Sequence, residues 1–481
     1  MEVWRSYLPE IFLACASLGI LILNSLLIKK NLYRYLGFLF VFILAFFLLL
    51  NSFSIEVLKT DLSSHLLSTR AHFLFRIVFL GLGVVLYFSL YNFFLKERYL
   101  NEYSFFLGTS FAFLSLIASS QNLLMAFILM EAISFGFYLL ISFYKRELLS
   151  IEAGLKYFFL GTLSSIFFFT GLFLIYYATL EINLFQTLSK LTQLNRTIYF
   201  LLGLILIFSS LAFKLGASPF HFWLPEIYQG SPLPVFPLLA VFSKLGFALF
   251  LSNLFLVLFK TGFFSLPTFS TFKSLFYIIS LLSMILGNLL ALKQKEVKRL
   301  LAYSSISHMG YLLTLFAIPL ADTNFKLFYG YLFIYSLTNL GIILGFFLIV
   351  DHKEIKIPID SLGNRLKDVS FPLLLSFLIL LFSLAGLPPS AGFITKLFLL
   401  LQLVKEGAYF LALVFLLASI LSLYYYFRLI APVLSVLKED SLNLNNRKIN
   451  LYEIFMLLIL VLLSFYLFFS TFKPTLIFFF D

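Results

Sequence analysis

Apolar runs long enough to cross a bilayer follow one another along nearly the whole chain, parted by short charged or Gly/Pro-containing segments. A spanning helix needs about 20 predominantly apolar residues. Candidate runs lie near 8–28, 35–55, 74–95, 103–119, 121–143, 157–178, 197–218, 233–257, 273–292, 300–318, 326–350, 370–404, 408–431 and 451–470. With 62% hydrophobic and 12% charged residues among 481, and mean hydropathy +1.03, there is too little polar material to cover a soluble globule. The reading is an all-α polytopic membrane protein with about 14 transmembrane helices. A barrel is excluded because the runs are continuously apolar rather than alternating. The run 370–404 is too long for one span, and GLPPSAG at Gly386 to Gly392 breaks it into a single discontinuous element.

Charge gives an orientation. With the N-terminus outside, the loops after odd-numbered spans hold roughly 19 Lys/Arg against roughly 11 on the other face, the excess expected of a cytoplasmic side. Both termini are then outside. The net charge of +12 is spread through short loops, as at Lys29, Lys30, Arg34 and at Lys293, Lys295, Lys298, Arg299, so orientation accounts for it better than nucleic acid does. The lone Cys15 excludes an intrachain disulfide, and no cysteine cluster exists for zinc or iron–sulfur ligation. The first run starts with Glu2, Arg5 and Glu10 and has no small-residue cleavage site, so it reads as retained.

The longest polar stretches, near 178–197, 351–369 and 432–450, read as ordinary loops, leaving one membrane domain over 1–481. Within it a repeat is visible. Glu131 in the fifth run precedes Lys214 in the seventh by 214 − 131 = 83 residues, and His308 in the tenth precedes Lys396 in the twelfth by 396 − 308 = 88. An offset of five spans reverses the sense of crossing, which predicts inverted repeats. The expected divisions are 1–102 for spans 1–3, 103–257 for spans 4–8, 273–431 for spans 9–13 and 451–470 for span 14. Lys214 then lies toward the cytoplasm and Lys396 toward the outside.

A lysine at mid-membrane costs about 2.5–3.5 kcal/mol, so intramembrane charges normally face protein or water and serve ion or proton movement. Lys214 and Lys244 stand on either side of the break in FKLGASPFHFWLPEIYQGSPLPVFPLLAVFSKLGF (Phe213 to Phe247). Such a break survives at membrane depth only where it is buried in protein or lines a wet cavity. Glu131, in LLMAFILMEAISFGFYLL, is too far from either end of its run to snorkel; the alternative is a neutral, hydrogen-bonded structural acid. Lys214 lies near the end of its run, where its stem could lift the ammonium to the headgroups. The breaks at Gly216 to Pro219 and, beside Lys396, at Gly386 to Gly392 favour function.

Burial disfavours the charged lysine and a nearby carboxylate restores it, so changing the Glu131 to Lys214 separation would change proton affinity. Lys244 and His308 would be relay stations and Lys396 the exit gate. His308 has two nitrogens to receive and donate, yet among Ser304, Ser305, Ser307 and Tyr311 it could equally be a packing residue. Arg428 reads as snorkelling from a helix end. His65, Arg70, His72 and Arg76 read as an outer-loop cluster that lacks carboxylates at ligand spacing beyond Asp61, so no metal is expected. Trp223, Pro225, Glu226 and Tyr228 read as rigid loop packing, with only weak grounds for an entrance role at Glu226 or His221. No nucleotide, flavin or haem motif stands out.

FKLGASPFHFWLPEIYQGSPLPV, NLLALKQKEVKRLLAYSSISHMGYLL (Asn288 to Leu313) and SLAGLPPSAGFITKLFLL (Ser383 to Leu400) resemble the signature stretches of the antiporter-like membrane subunits of respiratory complex I. YQG followed by SPLPV is most similar to the subunits N of NADH-quinone oxidoreductase. The resemblance runs over the middle and later spans; the first hundred residues add little motif. It implies fourteen helices, two inverted five-helix repeats and neighbouring antiporter-like subunits in a membrane arm. Glu131, Lys214, Lys244 and Lys396 match the family's charged motif positions, and His308 matches the histidine of its K-R-L-L-x-Y-S-S-I-S-H stretch.

The implied function is proton translocation coupled to NADH-to-quinone electron transfer in other subunits. The chain itself would carry no redox centre, with FMN, iron–sulfur clusters and quinone in partner subunits. The implied location is an energy-transducing membrane, the bacterial inner (plasma) membrane. A subunit of a multisubunit cation/proton antiporter and a non-conducting structural membrane subunit are the alternatives.

Overall fold

The computed structural model describes residues 7–27, 30–56, 70–97, 99–189, 197–260, 269–350, 354–367 and 369–439. Helices α1 (Leu8–Leu27), α2 (Asn31–Glu56), α3 (Arg70–Ser89), α4 (Tyr91–Lys96), α5 (Leu100–Ala118), α6 (Leu123–Ile141), α7 (Leu148–Thr179), α8 (Leu184–Ser189) and α9 (Thr197–Leu215) come first. After a break come α10 (Trp223–Gly230), a 3-10 turn at Leu233–Val235, a π-helical turn at Leu238–Phe242 and α11 (Ser243–Lys260). Then follow α12 (Phe269–Leu292), α13 (Val297–Leu313), α14 (Asp322–Ile349), α15 (Leu362–Leu366), α16 (Phe371–Ala385), α17 (Ala391–Lys405) and α18 (Tyr409–Glu439).

Among the described residues nine helices are long and apolar enough to cross a membrane, and β-pairing is confined to two isolated bridges, Asn122 with Asn183 and Glu296 with Pro358. Each predicted run up to 408–431 falls on a helix or on two helices in series. The run 451–470 and His65 lie outside the described residues.

Four local readings change. The helix read as 157–178 begins at Leu148, and within its added turns Glu152 and Lys156, one turn apart, pair at 2.6 Å on the exposed side. The supposed loop from 432 is helical as far as Glu439. The loop FHFWLPEIYQG contains α10; Pro225 stands in its first turn, where a missing N–H breaks no helical bond. Arg76 belongs not to an outer loop but to α3, where it is buried.

Two compact units result: Met1–Leu215 with Phe242–Pro267, and Gly216–Val241 with Thr268–Asp481. In the first unit α7 packs on α9 at a point where a Cβ on Gly171 would stand 2.6 Å from the Gly203 oxygen and one on Gly203 2.7 Å from the Gly171 oxygen. Lipid offers helices no hydrophobic gain on pairing, so such close backbone contact and polar bonds supply the attraction. Ser164 and Ser210 add a hydroxyl bond of 2.9 Å between the same helices. In the second unit α12 packs on α13 and on α18, and α16 packs on α14 and α18.

Candidate functional site

The first unit holds a lysine, a serine and an acid. Asn122 caps α6 by accepting from the Leu124 and Met125 amides at 2.9 and 3.1 Å, and the helix carries Glu131 and Ser134 a turn apart. The Lys214 ammonium, from the last turn of α9, donates to Ser134 Oγ at 2.6 Å and lies 5.7 Å from the centre of the Tyr157 ring. At 2% exposure Lys214 does not snorkel. Ser134 is the twelfth of nineteen residues in α6, about 10 Å of helical rise from its nearer end, so the ammonium sits at the level of the helix middle. Glu131 acts electrostatically on Lys214, and its Oε1 is buried without a hydrogen-bond partner.

At Gly216 the backbone turns to φ 68°, a left-handed value natural to glycine, and α9 ends. The last four carbonyls of a helix lack intrahelical donors and carry partial negative charge. Lys244, fully buried in the first turn of α11, donates its ammonium to the last of them, the Leu215 oxygen.

In the second unit α16 ends likewise at Gly386, φ 81°, whose amide and that of Leu387 both donate to the Phe382 carbonyl at 3.0 Å. The chain restarts as α17, capped by Ser390 Oγ accepting from the Phe393 amide at 3.3 Å. Both breaks contain a cis proline bond, Ser218–Pro219 and Pro388–Pro389. Lys396 folds back from α17 and donates to the Leu384 and Ala385 carbonyls at 3.2 and 2.9 Å, over the Tyr311 ring at 5.6 Å.

His308 and Lys396 line one cavity with Tyr331, Tyr335, Thr338 and Thr395, with about 10 Å³ open to the centre of a water molecule. That is room for about one water. The His308 ring is held on both nitrogens, Nδ1 with the Tyr331 hydroxyl at 2.6 Å and Nε2 with the Tyr426 hydroxyl at 3.1 Å. A fixed ring between two hydroxyls, beside an ammonium and a water-sized space, can accept a proton at one nitrogen and release one from the other.

The structure thus brings Glu131 near Lys214, and His308 near Lys396, while Lys244 holds the end of α9. Several participants escaped the sequence reading. Ser134 stands one turn from Glu131, a spacing that puts the two on one face but does not say that Lys214 meets it. Arg428 is not at a helix end but inside α18, and its Nη1 donates to the Leu292 carbonyl at 3.0 Å, closing the end of α12. Arg76 grips Glu10 with two bonds of 2.7 Å, and Ser115 donates to the same carboxylate at 2.8 Å, tying α3, α1 and α5 together. Lys298, read as a loop charge, is 0% exposed. His221 stacks on Phe222 at 4.6 Å, and Glu226 is exposed. Among the described residues no group of three or more His, Cys, Asp or Glu could hold a metal.

The family model described as NADH:quinone oxidoreductase/Mrp antiporter, transmembrane, matches residues 120–422. The chain belongs to that family. The matched region contains Glu131, Lys214, Lys244, His308 and Lys396. NADH-quinone oxidoreductase subunit N 2 of Thermodesulfovibrio yellowstonii is 36% identical over 393 residues, covering 81% of this chain and 80% of the relative. Subunit N 1 of Aquifex aeolicus is 32% identical over 435 residues, covering 89% of each. A chain of respiratory complex I from Thermus thermophilus with bound aureothin matches with TM-score 0.78 and 27% identity, covering 97% of this chain and 98% of that one. A chain of the Mrp complex from a Dietzia species matches with TM-score 0.80 at 17% identity, covering 99% and 96%, and shares the fold. The family's antiporter-like fold therefore accommodates both breaks, the buried Lys214, Lys244, His308 and Lys396, and the half-buried Glu131.

Proposed function

We propose that the chain is a proton-translocating membrane subunit of NADH-quinone oxidoreductase, of the subunit N type. The observation that carries this reading is the set of ammonium groups of Lys214, Lys244 and Lys396, each buried and each held by a polar partner at or next to a broken helix. A buried lysine retained at such cost has a use in moving charge. Lys214, with Glu131, is the cytoplasmic station; Lys244 and His308 relay; Lys396 releases protons outward. The full chain has fourteen spans, with spans 4–8 and 9–13 as inverted repeats and both termini on the outer side of the bacterial inner membrane. Its partners are the other membrane subunits of the complex, and FMN, iron–sulfur clusters and quinone reside in partner subunits. Redox energy released there drives each proton outward against about 2.3 kcal/mol per 100 mV.

The test uses the assembled complex in membrane vesicles. In Lys214→Ala and Glu131→Ala, NADH-driven proton uptake is expected to fall about tenfold or more, while co-purification of the variant chain with the other subunits in mild detergent reports intact assembly. Normal pumping by the assembled variants would sink the assignment.

A further inference from the structure

Lys298 opens α13 and is the buried lysine left without a role above. Residues in the first turn of a spanning helix ordinarily snorkel, but Lys298 turns inward and donates to the Ser231 carbonyl at 2.8 Å. Ser231 follows the last residue of α10 with extended backbone, so this ammonium is held by a carbonyl just past a helix end. Lys244 on Leu215 and Lys396 on Leu384 and Ala385 meet carbonyls inside the last turn of a helix. A purely structural clamp is already present next door, since Arg299 holds Gln229 Oε1 of α10 at 3.0 Å.

Lys298 also has a carboxylate close by in sequence, at the N-terminal end of its helix. Glu296, two residues earlier, acts on it electrostatically, is partly exposed, and has a buried Oε2 with no hydrogen-bond partner. Its backbone is pinned on both sides, the Val297 amide donating to the Ile357 carbonyl at 3.0 Å and the Ile359 amide to the Lys295 carbonyl at 2.9 Å. Burial pushes the Glu296 carboxyl up from its ordinary value, while Lys356, Lys298, the Gln229 side chain and Arg299 pull it back. Inward, Ser305 lies seven residues from Lys298 on the same side of α13, its hydroxyl donating to the Ala302 carbonyl at 3.0 Å, and Tyr335, whose hydroxyl donates to the Ala240 carbonyl at 3.5 Å, lines the cavity of His308 and Lys396. From Lys298 to His308 the helix rises about 15 Å.

We infer that Glu296 and Lys298 form a proton-loading station that feeds the His308 and Lys396 cavity from the aqueous end of α13. The inference rests on the proton-translocation reading above. The Glu296 carboxylate takes a proton from bulk water and passes it, across an intervening water, to the neutral Lys298 amine, which becomes the ammonium as the carboxylate is restored. The ammonium then yields the proton inward, through the Ser305 and Tyr335 hydroxyls and intervening water, to the His308 ring. Both residues return to their starting forms, and one proton has entered.

The decisive variant is Lys298→Arg in the assembled complex. Arginine keeps the positive charge and can still cap the Ser231 carbonyl, but it does not release a proton. A structural clamp would be rescued by arginine; a loading station is expected to lose about tenfold in NADH-driven pumping. Glu296→Gln is the second variant, expected to pump several-fold less with the deficit growing at alkaline pH, as general acid–base transfer requires. Wild-type pumping in Lys298→Arg, or, if that variant fails to assemble, a wild-type rate and pH profile in Glu296→Gln, would overturn the station. Lys396→Ala run in parallel separates the two readings. Its loss of pumping beside a normal Lys298→Arg removes the loading station alone, whereas normal pumping in both removes proton translocation as well.

Discussion

At the first break the Leu215 carbonyl is met by Lys244, 29 residues further along the chain, and a different lysine, Lys214, is held by the Ser134 hydroxyl near Glu131. At the second, Lys396, only 11 residues beyond Ala385, meets the helix-end carbonyls and also lines the cavity with His308. One unit divides two duties between two lysines, and the other gives both to one. The sequence offsets pair Lys214 with Lys396, but in their bonding it is Lys244 that resembles Lys396. The partial negative charge of a helix C-terminus can do for an ammonium part of what a carboxylate does, which is why a lysine can be kept beside the second break without an acid. The difference has a practical consequence. Lys214 depends on a side chain that mutation can remove, whereas Lys396 depends on main-chain oxygens that substitution leaves in place.

The largest expected effect attacks the second break through its backbone. A Cβ at Gly392 would lie 1.8 Å from the Ser383 carbonyl oxygen, which no rotamer can relieve. Gly392→Ala should therefore cost about 3 kcal/mol, seen as a lowered midpoint for thermal inactivation of the purified complex. Gly363→Ala, with open space around its Cβ, is the matching control and should stay within about 0.5 kcal/mol.

Next comes the side-chain partner at the first break. Ser134→Ala strips the Lys214 ammonium of its hydroxyl and should cost about 2 kcal/mol, with pumping reduced and restored by Ser134→Thr. If Ser134→Ala pumps normally, Lys214 is held by something other than its side-chain partner and the contrast between the units falls.

Gly386→Ala sharpens the other half of the comparison. It forces a left-handed φ on alanine, at about 1–2 kcal/mol, and its Cβ would meet Lys396 Cδ at 2.9 Å and Nζ at 3.1 Å. The prediction is that pumping falls more than stability does, since the lysine must leave the Leu384 and Ala385 carbonyls. The smallest effect is Tyr331→Phe, which removes the hydroxyl on His308 Nδ1 and should cost about 1 kcal/mol. Tyr426 still holds the ring, so proton uptake assays should show a partial loss.

Legibility differed by kind of information. Spans were readable because length and continuous apolarity are local properties, and the breaks were readable because glycine and proline punctuate them. Lys298 and Arg76 were misplaced for the opposite reason: a basic residue near the end of a run has the same local sequence whether it snorkels outward or turns in. Glu10 did not declare Arg76 as its partner, because the two are 66 residues apart and their meeting needs α1, α3 and α5 to pack first. Ser134 was within reach of a spacing argument, but nothing local tells which face of α6 receives a lysine from α9.

By itself the sequence determined that this chain must live in a membrane as a helical bundle and must keep Glu131, Lys214, Lys244, His308 and Lys396 away from lipid. Desolvation makes that demand on any fold the chain could adopt. Only the tertiary structure decided what each charge meets: a hydroxyl for Lys214, helix-end carbonyls for Lys244 and Lys396, a carbonyl just past a helix end for Lys298, two tyrosine hydroxyls for His308. Those partners come from other helices, and contacts between helices distant in sequence are set by how the whole unit packs rather than by any one run of residues.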